Sequence, residues 1–484
     1  MRNHPPSAST LDRNVSTLTF LGVLLFTAVA ITSCAHVAEE GRSDPGFPMP
    51  DTYSLYEETA PAPDRWWEGF GSEELNTLVE GALKGSLTLR QAYARLEQSR
   101  ALAVQAGADR VPDLDLGASA SETRRNADGE TVTDSSRSLT LVTAYEIDFW
   151  GRLRSEHQAA LLEVEASQDD LCTAALTLAS EVTLKWLELL SVRQQLEILD
   201  TQIETNRTIL DLIELRYLKG AASALDIYQQ RQVLAESMAG IPQLEARRQT
   251  LLNDLAVLTG EPPRTDLGLR AVAFPEVGSL PETGVPADLL ARRPDVRAAG
   301  HELFAARSQL RAARADRLPS VNLTATAGFR ADGWGNLFDS WLASLAANLS
   351  LSLFNAGAIR AEVTRREWIA DERLATYGQT VLTAILEVEE AMINEVKQVE
   401  YIQAQESRLK IAADSYREAL QRYRKGLIDY LPALESLISA QRLERTVVQA
   451  RFDRLSYRVK LHRALGGTWM GEIMEGKENR SPQR

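Results

Sequence analysis

Apolar and polar residues alternate with a period of two in four short segments of the chain. These segments are residues 113–122 and 138–149, followed much later by residues 320–329 and 341–354. About 9–11 alternating residues are typical of a membrane-spanning β-strand, although a soluble sheet with one wet face gives the same pattern. The pattern therefore predicts two pairs of β-strands and leaves their surroundings open.

Polar segments separate the two strands of each pair. Residues 122–136 and 330–340 are predicted to be turns, and the second turn carries Trp334 and Phe338. Aromatic residues at such positions would suit a membrane interface.

Long helical patterns follow each strand pair. Residues 151–217 and 357–423 lack proline and contain little glycine, so each segment predicts a helix of about 100 Å. Shorter helices are predicted before the strands (87–109 and 294–316) and after the long helices (224–258 and 430–465). Apolar residues at alternating spacings of three and four predict coiled-coil seams. The seam residues are Leu189, Val192, Leu196, Leu199 and Ile203 in the first long helix, and Ile385, Val388, Met392, Val399 and Ile402 in the second, with Glu395 also in a seam position.

The two sets of elements are copies of one unit. AGADRVPDLDLGASA at 106–120 matches ARADRLPSVNLTATA at 313–327, and RYLKG at 216–220 matches RYRKG at 422–426. The separated matches keep nearly one offset, 206 or 207 positions, which is the signature of an internal repeat. We predict a first repeat at 67–260 and a second at 287–467. Around them lie a leader (34–66), a connector rich in proline and glycine (261–286) and a C-terminal tail (468–484).

The N-terminus resembles a bacterial lipoprotein signal. Arg2 and Arg13 precede an apolar run at 18–31, which ends in Thr32, Ser33 and Cys34. The run is short for a membrane span and fits a secretory signal peptide at 1–33. The alternative is an ordinary signal peptide followed by a cysteine of no significance. We expect Cys34 to carry a covalent lipid, and this anchor favours a membrane location for the strands.

Composition excludes several classes of function. The net charge of -14 argues against nucleic-acid binding, which needs clustered cations. The two cysteines and five histidines show no metal-binding spacing, and no common catalytic motif is present. We therefore expect no catalytic residue, metal or cofactor. Four amphipathic strands cannot close a barrel, so a membrane-embedded sheet would require several copies of the chain.

These motifs resemble the outer-membrane efflux proteins, or TolC family, and in particular its OprM/NodT-like lipoprotein branch. The most specific matches are DLLARRPDVRAA at 288–299, YEIDFWGR at 145–152, the paired RYxxG turns and ALGG at 464–467. The resemblance implies a mainly α protein whose homotrimer forms a 12-stranded transmembrane β-barrel above an α-helical periplasmic tunnel. It also implies two partners, a periplasmic adaptor and a proton-driven inner-membrane pump of the resistance-nodulation-division (RND) class.

The resemblance assigns gating residues at the turns between the long and returning helices. The family's tyrosine and aspartate fall on Tyr423 and Asp226, which we expect to form a hydrogen bond in the closed state. The family's arginine falls on Ile428, so that part of the network departs from the pattern; Arg422 or Arg424 could substitute.

The resemblance also assigns a selectivity ring and a docking site. One carboxylate of the family's pair falls on Pro432 and the other on Glu435; Asp429 could supply the missing charge. The candidate positions for adaptor docking are the two turn glycines and the arginine four residues before each: Arg216, Gly220, Arg422 and Gly426.

The expected function is passive conduction through the outer membrane of a Gram-negative bacterium, as the exit duct of a tripartite efflux pump. Two alternatives stay open: the exit duct of a type I protein secretion system, and a periplasmic adaptor lipoprotein. The repeat and the two strand pairs argue against the adaptor, which has one helical hairpin. The lipoprotein signal and the ARRPD segment favour efflux over secretion.

Overall fold

The computed structural model describes residues 47–54, 65–127, 130–281, 283–467 and Trp469. The chain divides into two units, Met1–Phe47 and Pro48–Arg484, and everything below concerns the second. The predicted signal peptide, Cys34 and the C-terminal tail other than Trp469 lie outside the described residues.

Helices dominate the described residues. Two of them, α3 (Arg152–Leu218) and α7 (Ala358–Arg424), have 67 residues each, which corresponds to about 100 Å. The shorter helices are α1 (Glu73–Gly85), α2 (Leu87–Ala108), α4 (Ala224–Leu258), α5 (Leu289–Arg292), α6 (Pro294–Ala315) and α8 (Tyr430–Leu465). Within the part of the chain that the structure describes, no helix combines the length and apolar character needed to cross a membrane.

The ends of the long helices agree with the sequence to within one residue. Both helices begin after a glycine in the left-handed region, Gly151 and Gly357, and both end in the predicted turns. The sequence did not predict α1. Its N-cap is Ser72, whose side chain accepts a hydrogen bond from the Leu75 N–H at 3.3 Å.

Six of the ten predicted apolar seam residues are buried between packed helices, whereas Leu196, Ile385, Val399 and Ile402 are only half-buried. Leu189, Val192, Leu199 and Ile203 are all less than 10% exposed, and so are Val388 and Met392 in the second repeat. Glu395 is buried in its seam as well, where it forms an ion pair with Arg458 of α8. The heptad spacing therefore identified the packing face of both long helices.

Four strands form one antiparallel sheet in the order β1-β2-β3-β4. The strands are β1 (Asp115–Ala127), β2 (Glu130–Glu146), β3 (Ser320–Ala331) and β4 (Trp341–Ser350). The β2–β3 pairing joins the two repeats, with Leu139 opposite Phe329 and Tyr145 opposite Leu323.

The predicted turn at 122–136 is wrong, because most of it belongs to strands. The β1–β2 ladder continues from Glu122 opposite Ser135 to Ala127 opposite Glu130. Backbone hydrogen bonds hold these polar residues in register, although neither face of this part of the hairpin is buried. A search for alternating apolar and polar residues cannot detect such a segment.

The second strand of each pair ends earlier than predicted, at Glu146 and at Ser350. The residues that follow β2 cap the next helix, α3. The Asp148 carboxylate accepts hydrogen bonds from the N–H groups of Leu153 and Arg154 at 3.2 and 2.8 Å. A carboxylate at this position stabilises the first turn of α3.

Candidate functional site

The ends of the two helical hairpins have the same backbone geometry. Gly220 and Gly426 both have a φ of 73°, in the left-handed region that favours glycine. The N–H of Ala221 donates to the Arg216 carbonyl at 2.8 Å, and the N–H of Leu427 donates to the Arg422 carbonyl at 3.0 Å. Each long helix therefore ends in a Schellman motif, and the duplicated glycines are required for the chain reversal.

The two arginines of these motifs have different contacts. The Arg216 guanidinium is partly buried and donates hydrogen bonds to the carbonyl oxygens of Tyr423 and Arg424, at 3.0 and 3.1 Å. Arg422 is exposed and pairs with Glu418 at 2.7 Å, one turn back on its own helix. Equivalent positions in the repeats have thus diverged, and the guanidinium of Arg216 contacts its own chain.

The expected hydrogen bond between Tyr423 and Asp226 is not formed. The Tyr423 hydroxyl is buried and has no hydrogen-bond partner among the described residues. The Asp226 carboxylate accepts the Ser223 N–H at 2.9 Å, while the Ser223 hydroxyl accepts the Asp226 N–H at 3.2 Å. This capping box at the start of α4 engages the carboxylate that the prediction assigned to Tyr423. Their part in gating stays a prediction.

A second tyrosine makes the contact between the hairpins. The hydroxyl of Tyr430, the first residue of α8, donates a short hydrogen bond to Oε1 of Gln230 on α4, and both side chains are buried. Burial raises the pKa of both Tyr423 and Tyr430, so both hydroxyls stay protonated. This pair was not predicted from the sequence. The available signal was the position of Gln230, which lies three residues from Ile227 and from Val233 and so shares their helix face.

A buried polar seam continues this contact along the helices. The Asn206 amide of α3 donates to the Ser237 hydroxyl at 3.0 Å, and the Gln441 amide of α8 donates to Asn206 Oδ1 at 3.2 Å. Gln202 donates to the Gln441 carbonyl oxygen at 2.9 Å. Buried amides with satisfied hydrogen bonds specify which helix positions face each other. The seam thus fixes α8 of the second repeat against α3 and α4 of the first.

The candidate residues for the selectivity ring are both exposed. Asp429 is the N-cap of α8, and its carboxylate makes no capping hydrogen bond. Glu435 lies about one and a half turns further along the same helix. Both carboxylates are accessible to solvent, as a charged ring in a pore requires.

The sheet presents one continuous apolar face across both repeats. The register places apolar residues of neighbouring strands opposite each other, as in Leu116–Leu141, Ala325–Leu345 and Phe329–Trp341. The side chains of this face are Leu116, Ala118, Leu139, Leu141, Leu323, Ala325, Ala327, Phe329, Trp341, Ala343, Leu345, Ala347 and Leu349. The opposite face is mainly polar, with Ser119, Thr140, Asn322, Thr326, Ser344 and Asn348.

The sheet has exposed apolar side chains and unpaired strand edges, both of which would be covered in a larger assembly. Leu345 and Leu349 are 80% and 68% exposed, although they lie in the middle and at the end of a strand. Within the described residues β1 pairs only with β2 and β4 only with β3, so both outer edges lack a neighbouring strand.

The ARRPD segment has a structural role. Arg293 is buried and donates to Asp295 at 2.6 Å, to Glu387 of α7 at 2.7 Å and to the Ala464 carbonyl oxygen of α8 at 3.1 Å. Arg293 therefore joins the start of the second repeat to helices α7 and α8. The motif supports the fold, and it adds no residue to the candidate site.

Comparison with known proteins agrees with the duplicated architecture. The sequence profile of the outer membrane efflux protein family matches the chain twice, over residues 78–261 and 285–467, which correspond to the two repeats. The chain is 33% identical over 423 residues to the pyoverdine export outer membrane protein OpmQ of Pseudomonas aeruginosa, covering 84% of this chain and 88% of that protein. It is 31% identical over 461 residues to the toluene efflux pump outer membrane protein TtgF of Pseudomonas putida, covering 91% and 95%.

Solved structures agree as well. The outer-membrane channel OprN superposes with a TM-score of 0.84 and 28% identity, covering 90% of this chain and 99% of that one. The outer membrane protein VceC of Vibrio cholerae gives a TM-score of 0.79 and 28% identity, covering 84% and 100%. The chain therefore belongs to the outer membrane efflux protein family, whose relatives named here are outer-membrane components of export and efflux systems.

Proposed function

We propose that three copies of this chain form the outer-membrane exit duct of a tripartite efflux pump. The observation that carries this proposal is the sheet, which combines a continuous apolar face with two unpaired edges. A sheet of this kind is stable in lipid only when its edges pair with other strands.

The apolar face has the dimensions of a membrane band. From Trp341 to Leu349 it spans nine residues, about 27 Å along the strand, or about 20 Å at a tilt of ~40°. Aromatic residues lie at both ends: Phe338 and Trp341 at one, Phe149 and Phe354 at the other, all between 60% and 89% exposed. Such girdles mark the two interfaces of a transmembrane barrel.

The number of copies follows from the number of strands. Four strands per copy give barrels of eight or twelve strands for two or three copies. Side chains fill the interior of an eight-stranded barrel, so two copies would leave no open channel. With four strands per copy, twelve strands are the next closed arrangement, which is wide enough for a lumen, and three copies supply them.

The helical hairpins give the duct its length below the membrane. Helices of about 100 Å on the side away from the β-hairpins would extend through the periplasm to an adaptor and an inner-membrane pump of the RND class. A lipid on Cys34 would tether the same protein to the inner leaflet. The named relatives export different cargoes, pyoverdine in one case and toluene in the other, so we assign the efflux class and no particular cargo.

The proposal is tested by crosslinking the full chain in its own cells, followed by purification and mass spectrometry. We expect a band of three chains together with an adaptor and a proton-driven pump. A transport ATPase in place of the pump would assign the duct to protein secretion. A single chain without partners would contradict the trimer.

Charge selectivity gives a further test of the candidate ring. The double substitution Glu435→Gln with Asp429→Asn is expected to lower the preference for cations, because it removes six carboxylates from the proposed trimer. The reversal potential of the reconstituted channel in a salt gradient measures this preference.

A charge-matched control removes two exposed carboxylates of α4 that lie away from the turns, Glu236→Gln with Glu245→Gln. We expect this control to keep the selectivity of the parent protein. Equal selectivity in all three proteins would exclude Glu435 and Asp429 from the ring.

A further inference from the structure

An arginine continues the apolar face of the sheet on the side of the β-hairpin turns. Arg137 of β2 lies opposite Ala331 of β3, two residues from Leu139. Side chains two residues apart in a strand share a face, so Arg137 lies on the face of Leu139. Leu139 belongs to the last row of apolar side chains, together with Phe329 and Trp341. The arginine is therefore one row, about 7 Å along the strand, beyond the apolar band.

The Arg137 guanidinium is held in place by backbone groups and by an aromatic ring. Its Nη1 donates hydrogen bonds to the carbonyl oxygens of Ser121 and Ser136, at 3.0 and 3.1 Å. Its carbon Cζ lies 5.5 Å from the centre of the Trp334 ring, which is within the range of a cation–π contact. These contacts fix the guanidinium before any ligand binds, which lowers the entropy cost of binding.

The charge of Arg137 is not neutralised by the protein. Within the part of the chain that the structure describes, no carboxylate forms an ion pair with Arg137 and its Nη2 donates no hydrogen bond. The next row of the same face carries Glu122, but this carboxylate pairs with Arg124 at 3.1 Å. Nη2 thus offers two N–H groups to an anion, and guanidinium–phosphate hydrogen bonds are among the strong charge-assisted ones.

The proposed duct gives this cation a defined depth in the membrane. The helices α3 and α7 follow the ends of β2 and β4, so they leave the sheet at the end away from the hairpin turns. If these helices cross the periplasm, the hairpin turns face the exterior. At a strand tilt of ~40°, one row beyond the apolar band is about 5 Å along the membrane normal, which is the level of the outer headgroups. Cations at a membrane interface bind anionic headgroups.

We propose that Arg137 and Trp334 bind the phosphate of a lipid in the outer leaflet, and we name these two residues the outer lipid site. This inference rests on the proposed function, because it requires lipid at the apolar face. The outer leaflet of a Gram-negative bacterium consists mainly of lipopolysaccharide, whose lipid A part carries phosphate groups. Nη2 of Arg137 donates to the phosphate oxygens, while Leu139 and Phe329 contact the acyl chains below. Three copies of the chain supply three such sites.

The test measures the binding of diphosphoryl lipid A to the full-length oligomer in a neutral detergent by native mass spectrometry. Arg137→Gln removes the charge and is expected to weaken the affinity about tenfold. Arg137→Lys keeps the charge without the planar fork, so we expect an intermediate affinity. Trp334→Leu should cause a smaller loss than Arg137→Gln, because it removes the ring and leaves the cation.

The matched control is an arginine at the same level on the other face. Arg330 of β3 lies opposite Ser138, next to the Arg137–Ala331 pair, and is exposed on the polar face. Arg330→Gln removes the same charge from the lumen side, so we expect it to keep the affinity of the parent protein. Equal weakening in Arg137→Gln and Arg330→Gln would mean general attraction by net charge and would overturn the outer lipid site.

Two comparison ligands define the source of the phosphate. Phosphatidylcholine, a lipid without net charge, is expected to bind the parent protein more weakly than lipid A and equally in all variants. Inorganic phosphate should not displace lipid A, since it lacks the acyl chains that contact the apolar face. Displacement at similar concentrations of the two ligands would assign a site for free anions and would contradict the lipid.

The outcomes separate this inference from the proposed function. A parent protein that assembles in the outer membrane but binds lipid A no more tightly than phosphatidylcholine overturns the outer lipid site and leaves the duct intact. A chain that forms no oligomer contradicts the duct, and lipid A binding by the detergent-solubilised chain still decides about the site. If Arg137→Gln does not assemble, Arg137→Lys and Trp334→Leu supply the comparison with Arg330→Gln.

Discussion

The Leu345→Arg variant is expected to be absent from the outer membrane as an assembled oligomer. Leu345 lies in the middle of β4, opposite Ala325, and its side chain is 80% exposed on the apolar face. An arginine at the lipid-facing midplane of a barrel costs about 2–4 kcal/mol, and a trimer would carry three of them. Membrane fractionation and an unheated denaturing gel, on which intact oligomers migrate slowly, measure the loss.

The neighbouring residue supplies the control. Ser344 lies on the opposite, polar face of β4, where it pairs with Thr326. Ser344→Arg adds the same side chain to the lumen side, so we expect assembly to be kept and the passage of cations to decrease. Equal loss of both variants would mean that the loss does not come from lipid contact of the apolar face, and normal assembly of Leu345→Arg would favour a soluble sheet.

Most of the helical architecture could be predicted from the sequence because its signals are local. The absence of proline over more than sixty residues, a glycine at each end and a regular seam fix the bounds of α3 and α7. The duplication then supplied independent support, since each signal occurred twice. Short-range rules are sufficient wherever capping and periodicity decide the structure.

The strand pairs were predicted less well. Apolar and polar residues alternate along a strand only where one face of the sheet is apolar and the other is polar. Between Glu122 and Ser135 both faces of the β1–β2 hairpin are polar, so no alternation marks the strands there. Only the backbone pairing of the two strands of the hairpin defines this segment. The apolar part of the hairpin was predicted because one of its faces requires a partner.

The candidate gating residues were predicted from matching positions in a related family, and matching positions do not fix the hydrogen bonds of their side chains. Tyr423 and Asp226 match the family positions, but Ser223 provides a local partner for the carboxylate, and Arg216 covers the tyrosine ring. One of these partners is three residues away and the other comes from the other repeat, and neither belongs to the matched pair. A motif match therefore located the right turns and did not determine their hydrogen bonds.

Glu395→Leu is expected to destabilise the protein more than any surface substitution. Both oxygens of Glu395 accept hydrogen bonds from Arg458 at 2.6–3.0 Å, and the two side chains are 3% and 7% exposed. His462, one turn further along α8, stays neutral because burial and the Arg458 charge lower its pKa to about 3. Removing the carboxylate leaves the buried guanidinium without its anionic partner, which costs about 3–5 kcal/mol.

Thermal unfolding of the detergent-solubilised protein measures this loss, and a double variant shows its cause. In Glu395→Leu with Arg458→Met both charges are replaced by apolar side chains, so we expect most of the lost stability to return. The Gly278 carbonyl oxygen, which accepts a hydrogen bond from Arg458 at 3.1 Å, belongs to an exposed residue, so water can replace this bond in the double variant. A double variant no more stable than Glu395→Leu would mean that packing around the carboxylate, rather than the uncompensated charge, holds α7 against α8.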